Sequence, residues 1–186
     1  LANLLGKSEE EKKWIYAGAV LRVTPIKDVK TMIQSFAFAK KKVPELKLWI
    51  MGPTDEDEKY ARECFELVDM LGVKDVEFTG RVDVRDYLGK MDFTLLTSIS
   101  EGQPLTILES YAAHCPVIAT DVGNCRELIY GPTDTFGSAG ILTHIMNLEE
   151  IAQAMIDLAQ NKKMRECMGE AGYKRVQAFY RIDQMK

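Results

Sequence analysis

Two cations lie close together near the start of the chain, where an apolar segment ends. Arg22 and Lys27 are five residues apart, and Lys27 stands where the next helical pattern begins. A cation in the first turn of a helix opposes the helix dipole. An anion held between that helix start and Arg22 would remove the conflict. The spacing therefore indicates an anion site, and the alternative is that both residues are solvated surface cations.

A second segment combines a glycine and a proline before a helical pattern. Gly102 has no side chain, so a ligand can approach the backbone there. Pro104 suits the first position of a helix, because its missing N–H would have no partner there in any case. The free N–H groups of a helix start form a ready anion site. Those groups are expected to belong to Leu105, Thr106 and Ile107.

Two carboxylates flank this turn. Glu101 precedes Gly102, and Glu109 lies one helical turn after Leu105. A carboxylate at the position of Glu109 can accept both hydroxyls of a ribose, as acidic residues do in dinucleotide-binding folds. Glu101 can accept hydroxyls of a sugar. The alternative is that Glu101 is only a charge near a helix N-terminus and that Glu109 is a solvated helix residue.

The elements that must position these residues alternate between short apolar runs and longer segments with helical spacing. Strands are predicted at Trp14–Val23, Leu46–Met51, Val76–Thr79, Phe93–Thr97, Pro116–Thr120 and Gly140–Thr143. Helices are predicted at Lys27–Val43, Asp55–Leu71, Val84–Lys90, Leu105–His114, Cys125–Tyr130, Leu148–Gln160 and Lys163–Phe179. This alternation predicts an α/β fold, a Rossmann-like parallel sheet of about six strands with helices on both faces. The strands are interpreted as apolar on both faces, as such a sheet requires. Ligands bind at the carboxyl ends of these strands, where both segments lie.

Composition narrows the class of protein. The chain has 186 residues, 46% of them hydrophobic and 28% charged, with a formal net charge of −4. These values are typical of a single globular domain. A net negative charge argues against a nucleic-acid partner. We expect residues 1–13 to be a linker or a frayed N-terminus and residues 14–186 to form the domain. Because the first residue is Leu1, we expect a piece of a longer protein.

Several motifs are absent from the sequence. It contains no GxGxxG, GxxxxGK[ST] or GxSxG pattern, which argues against nicotinamide-binding, P-loop and α/β-hydrolase domains. The four cysteines form no CxxC pair, which argues against a closed zinc site. The segment Asp55-Glu56-Asp57 is interpreted as a helix cap rather than a metal site. Without a signal peptide or an apolar run of about 18 residues, a reducing cytoplasm is expected.

The two segments together resemble a known signature. Arg22-x4-Lys27 combined with Glu101-x7-Glu109 is similar to the donor-binding signature of retaining glycosyltransferases of family 4, which have the GT-B fold. The segments Glu101–Leu105 and Pro116–Gly123 strengthen the resemblance. Val23–Lys30 and Asn124–Gly131 further resemble the PelF-like subgroup, which makes the Pel exopolysaccharide. The chain departs from the family pattern at Leu21 and Asp28, where the family usually has glycine.

The resemblance implies a role for each matched residue. Arg22 and Lys27 would hold the donor diphosphate and stabilise the leaving nucleotide, with Glu101 as the third catalytic residue. Glu101 would bind sugar hydroxyls, and Glu109 would bind the ribose. Backbone groups that contact the donor would come from Arg81, Val82, Gly102, Gln103, Pro104, Leu105 and Thr106.

The resemblance also implies partners. The donor would be a nucleotide sugar, with UDP as the nucleotide, and no divalent metal or other cofactor would be needed. The acceptor would bind an N-terminal domain of the same parent chain, so the isolated domain would be inactive. Membrane polysaccharide-synthesis proteins are further expected partners, and nucleic acid is not. If the last helices pack on the absent domain, then Val176, Phe179 and Tyr180 should be exposed.

Other functions remain open at this stage. A sugar-nucleotide epimerase resembles the same two-domain architecture and would convert the donor without an acceptor. A non-catalytic nucleotide-sugar binding module would bind the donor without turnover, even in the full-length parent. A nicotinamide-binding domain would bind NAD, but its glycine fingerprint is lacking.

Overall fold

A computed structural model describes residues 14–180, so the predictions for residues 1–13 and 181–186 lie outside the described residues. Within that range, six parallel strands form one sheet in the order β3-β2-β1-β4-β5-β6. The strands are β1 (Ile15–Val20), β2 (Leu46–Met51), β3 (Val76–Gly80), β4 (Phe93–Leu96), β5 (Val117–Thr120) and β6 (Gly140–Thr143). The predicted α/β class and parallel sheet are confirmed.

Seven α-helices connect or follow these strands in the described part of the chain. They are α1 (Val29–Lys42), α2 (Glu58–Leu71), α3 (Arg85–Leu88), α4 (Leu105–Ala112), α5 (Cys125–Tyr130), α6 (Leu148–Gln160) and α7 (Lys162–Phe179). All predicted helices are present, but α3 has only one turn. Gly72 ends α2 in the left-handed conformation that favours glycine.

The main core lies between the sheet and the helices α1, α2 and α6. Met32, Ile33 and Phe36 recur at helical spacing on α1 and are fully buried. They belong to the same apolar cluster as Leu48 of β2 and Ile151 of α6. Burying one such side chain contributes about 1.5–3 kcal/mol. This core holds the first three strands in place, so their carboxyl ends form a fixed edge.

The prediction that every strand is apolar on both faces is wrong for β2. Leu46, Leu48 and Ile50 are buried, whereas Lys47 and Trp49 between them are only half-buried. On this face Trp49 belongs to the same small apolar cluster as Tyr87 and Leu88 of the short helix α3. The ring of Trp49 stacks on that of Tyr16 and meets that of Tyr87 edge-on, with centroid distances of 4.4 and 5.1 Å.

The sheet's strand order reverses between β1 and β4, which lie side by side while their following loops turn to opposite sides. The crevice above such a switch point is where open parallel sheets bind ligands.

No helix between residues 14 and 180 is long and apolar enough to cross a membrane. Near the end of α7, Phe179 is exposed as expected, but Val176 is buried and Tyr180 half-buried.

Candidate functional site

The loop between β1 and α1 differs from its prediction. Residues Pro25–Lys27 form one 3-10 turn, and α1 begins only at Val29. Lys27 is therefore not in the first turn of α1, and the predicted conflict with the helix dipole does not arise. Backbone N–H groups at the start of α1 already have hydrogen-bond partners within the protein. The Asp28 carboxylate accepts from the N–H of Thr31 at 3.4 Å, and the Tyr60 hydroxyl accepts from the N–H of Lys30 at 3.3 Å.

Asp28 explains one departure from the family pattern. Its backbone is left-handed, with φ of 47°. Glycine adopts this conformation without strain, and aspartate tolerates it better than most residues. The Asp28 side chain offsets the strain, because it supplies the cap of α1.

Lys27 and Glu101 form an ion pair that joins two loops 74 residues apart in sequence. Their side chains are only 17% and 13% exposed, so the pair lies largely out of water. The buried hydroxyl of Ser98 donates to Oε1 of Glu101 at 2.6 Å, which is the same oxygen that Lys27 contacts. The structure thus brings together one predicted cation and one predicted carboxylate, and it adds Ser98, which the sequence analysis did not select.

Backbone contacts hold these two loops in register. The N–H of Ile99 donates to the carbonyl of Ile26 at 2.9 Å. The hydroxyl of Thr97 donates to the carbonyls of Lys27 and Asp28 at 3.0 and 3.1 Å. The position of Glu101 relative to Lys27 is therefore set by rigid backbone contacts as well as by charge.

The start of α4 is open, with one correction to its prediction. Pro104 occupies the N-cap rather than the first helical position, and Leu105 is the first residue of the helix. The N–H of Ile107 already donates to the carbonyl of Pro104 at 3.1 Å. Of the three predicted anion-binding groups, the N–H groups of Leu105 and Thr106 therefore remain available within the described part of the chain.

A crevice of about 390 Å³ runs between the β1–α1 loop and the loop after β3. Its lining includes Arg22 and Lys27 of the β1–α1 loop, Thr106 of α4, and Arg81 and Val82 after β3. Met51 at the end of β2 and residues 52–53 after it also line the crevice. Six predicted residues are thus close together at one edge of the sheet: five line this crevice, and Glu101 is joined to it through Lys27.

Two arginines of the crevice are paired with the acidic segment before α2. Arg22 donates to Glu56 at 3.1 Å, and Arg81 donates to Asp55 at 2.8 Å. The hydrogen bond from Arg81 lowers the pKa of Asp55 below its usual value. Asp57 alone caps α2, by accepting from the N–H of Tyr60 at 2.9 Å, so the capping interpretation holds for one of the three acids. Exposed pairs of this kind are weak, and a phosphate can displace them.

The other predicted residues form no side-chain hydrogen bond or ion pair with Lys27 or Glu101 within residues 14–180. The side chain of Glu109 is exposed on α4 and makes no hydrogen bond with the described residues. Gly102 and Gln103 are exposed at the tip of the loop, and Pro104 is buried beneath it.

The loop after β5 supports the Glu101 loop from behind. Gly123 has a φ of 50°, and a methyl group there would overlap the carbonyl oxygens of Glu101 and Gly102. The N–H of Asn124 donates to the carbonyl of Gly102 at 3.0 Å. A Gly-Asn pair shortly after a strand was the available signal, because it marks a turn with a left-handed residue.

The sequence profile of glycosyl transferases group 1 matches residues 11–161, which is most of the chain. The chain belongs to this family. The C-terminal domain of a group 1 family protein, LpcC from Francisella tularensis, has 25% sequence identity and a TM-score of 0.79, and the match covers 92% of this chain and 90% of that one.

Three further proteins are similar to this chain. N-acetyl-alpha-D-glucosaminyl L-malate synthase from Bacillus anthracis is 30% identical over 97% of this chain and 44% of its own length. Poly(glycerol-phosphate) alpha-glucosyltransferase from Bacillus subtilis is 25% identical over 87% of this chain and 23% of its own length. The chain therefore spans less than half the length of these curated relatives. Anabaena HepE, solved with UDP and glucose, has a TM-score of 0.75 at 22% identity, covering 89% of this chain and 44% of that one.

Replacing Gly123 by alanine tests how the loop that carries Glu101 is supported. The added methyl group must displace the Glu101–Gly102 backbone, so we expect the affinity for the UDP-sugar donor proposed below to fall about tenfold. The measurement is calorimetric titration, with Gly72→Ala as the matched control. Gly72 has a similar φ of 58°, but a methyl group added there would meet no atom of the described residues within 4 Å beyond its chain neighbours. Gly72→Ala should lose about 1 kcal/mol of stability without a change in affinity. Equal effects of the two variants on affinity would contradict the supporting role of Gly123.

Proposed function

We propose that this chain is the donor-binding domain of a retaining glycosyltransferase. The enzyme transfers a hexose from a UDP-sugar to a growing exopolysaccharide or another glycan. The observation that carries the proposal is the crevice lined together by Arg22, Lys27, Thr106 at the open start of α4, Arg81 and Val82. The family supports transfer of a sugar, and the UDP in HepE supports the choice of nucleotide.

The proposed donor lies along this crevice with its diphosphate toward Lys27. The N–H groups of Leu105 and Thr106 donate to phosphate oxygens, and the base contacts the backbone of Arg81 and Val82. Glu109 binds the ribose. Fixed donors aimed at a phosphate need no reorganisation as the reaction proceeds, which is the main source of their effect on rate.

Transfer forms a bond between the anomeric carbon and an acceptor hydroxyl oxygen and breaks the bond between that carbon and the diphosphate oxygen. The diphosphate oxygen leaves with the electron pair and takes up the hydroxyl proton. Negative charge therefore grows on the departing phosphate. Lys27 and Arg22 stabilise this charge, and Glu101 holds sugar hydroxyls so that the anomeric carbon stays in line with the phosphate. We propose that these cations carry out the electrostatic work without a divalent metal.

The acceptor is proposed to bind a second, N-terminal domain of the parent chain. Relatives more than twice as long as the matched segment support this arrangement. The isolated chain then binds the donor without transferring sugar. The segments Val23–Lys30 and Asn124–Gly131 support the PelF-like subgroup and, with it, membrane polysaccharide-synthesis proteins as partners of the parent.

Calorimetric titration of the chain with UDP, GDP, ADP and NAD tests this function. We expect saturable UDP binding with a Kd of about 10 μM to 1 mM, as for a half-site. Arg22→Ala should weaken it, whereas Arg85→Ala should leave it unchanged, because Arg85 pairs with Asp83 outside the crevice. The affinity should be the same with and without EDTA. No nucleotide binding, or a preference for NAD, would contradict the proposed function; a loss in EDTA would contradict metal independence alone.

A further inference from the structure

The inference concerns the residue that sets the orientation of Glu101, and it rests on the proposed function. We propose that Ser98 is a positioning residue: it holds Oε1 of Glu101, so that Oε2 is the oxygen presented to a hydroxyl of the donor sugar. The ligand chemistry is that of a pyranose hydroxyl donating to a fixed carboxylate oxygen.

Ser98 is held rigidly. Its side chain has no exposed surface, and its hydroxyl donates to Oε1 of Glu101 at 2.6 Å. Its own carbonyl accepts from the hydroxyl of Thr120 at 2.6 Å, which ties this residue to β5. A buried hydroxyl with a single short bond to a carboxylate is oriented by the fold and not by solvent.

The two oxygens of Glu101 are therefore unequal. Oε1 accepts from both the Ser98 hydroxyl and the Lys27 ammonium, whereas Oε2 accepts no hydrogen bond from residues 14–180. The Glu101 side chain is largely buried, yet a small part of it reaches solvent. The oxygen without a protein donor is thus the one that keeps its capacity to accept from a ligand.

Lys27 alone would not select this orientation. An ammonium group attracts a carboxylate without a strong angular preference, because its charge is compact and its stem flexible. The Ser98 hydroxyl, held on rigid backbone, fixes the orientation of the Glu101 carboxylate. Without Ser98, the ion pair would persist while Oε2 moved away from the sugar, and misplacements of this size weaken specific contacts.

Loss of the Ser98 hydroxyl should therefore weaken recognition of the sugar without weakening recognition of the nucleotide. The sugar increment is defined as the Kd of UDP divided by the Kd of a UDP-sugar, measured with UDP-glucose, UDP-galactose and UDP-N-acetylglucosamine. We expect the chain to show an increment above one for at least one sugar. In Ser98→Ala the increment should fall three- to tenfold, while the Kd of UDP changes less than twofold.

Three further variants complete the experiment. Ser35→Ala removes another hydroxyl without exposed surface, bonded to the carbonyl of Leu148, and should leave the increment unchanged. Glu101→Gln should lose the increment yet bind UDP more tightly, because Lys27 no longer faces an internal anion. Ser98→Cys keeps the size with a weaker donor and should give an intermediate increment, and it replaces Ser98→Ala if that variant does not fold.

The outcomes separate the two proposals. If the wild-type chain binds no nucleotide, the proposed function fails. If it binds UDP but shows no increment for any of the three sugars, or if Ser98→Ala keeps the wild-type increment, the positioning role fails alone. Parallel losses for UDP and UDP-sugar in Ser98→Ala indicate a merely structural role and also overturn it.

Discussion

Replacing Lys27 by alanine is expected to weaken UDP binding by at least tenfold and, in the full-length enzyme, to lower turnover about 100-fold. The ammonium group lies largely out of water, where electrostatic interactions are strong. Its removal takes one cation from the phosphate and also leaves the Glu101 carboxylate without its partner. The unpaired carboxylate then repels the phosphate, so both changes act in the same direction.

The matched control is Lys30→Ala. Lys30 also forms an ion pair, with Glu63 at 2.6 Å, but that pair lies on the surface between α1 and α2. We expect its loss to change UDP affinity less than twofold. Arg22→Ala should fall between the two, because the Arg22 side chain is 58% exposed and its charge is screened. Calorimetric titration of the three variants measures this order, and an equal effect of Lys27→Ala and Lys30→Ala would contradict it.

Replacing Arg175 by methionine is expected to destabilise the domain by about 3–5 kcal/mol. Arg175 is almost fully buried on α7 and pairs with Asp134 at 2.7 and 2.8 Å. It also donates to the carbonyls of Leu128, Ile129 and Gly137. Its removal leaves a buried carboxylate without a cation and three carbonyl groups without this donor, whereas methionine keeps much of the apolar contact.

Arg126→Met is the control for this prediction. Arg126 forms an equivalent two-bond pair with Asp121, but its side chain is 63% exposed. Its loss should change stability by less than about 1 kcal/mol. Urea unfolding followed by circular dichroism measures both free energies of unfolding. Similar values for the two variants would show that Arg175 does not hold α7 against the segment after α5.

The effect of Arg175→Met should depend on pH. Hydrogen bonding by Arg175 holds the pKa of Asp134 below its usual value. A carboxyl group whose pKa is lowered by folding stabilises the protein fully above its unfolded pKa of about 4, and this contribution is lost as the pH falls through the folded pKa. In Arg175→Met the same carboxyl is buried without a cation, which raises its pKa above the unfolded value. The difference in unfolding free energy between wild type and Arg175→Met should therefore be largest near pH 7 and shrink progressively as the pH falls through 5 and below 4. A difference that stays constant to pH 3 would contradict the prediction.

Local patterns in the sequence determined the fold class and the edge of the sheet at which to look. Alternating apolar runs and helical spacing predicted the strands and helices, because each element buries a face whose period is set by its own backbone. The ends of the strands followed from them, and these ends carry Arg22, Arg81 and Glu101. The left-handed position of Asp28 was not predicted, since no local pattern distinguished it from an ordinary helix start.

Tertiary structure alone decided how the residues of the site are paired. The partner of Lys27 lies 74 residues away, and the hydroxyl that orients that partner comes from a buried position at the end of β4. Gly123 and Tyr60 likewise act through contacts between distant segments. Such pairings depend on how helices and loops pack over the sheet, and packing is a property of the whole core that no short window of sequence contains. The sequence thus determined which chemical groups reach the carboxyl edge of the sheet, and the packing decided which of them meet.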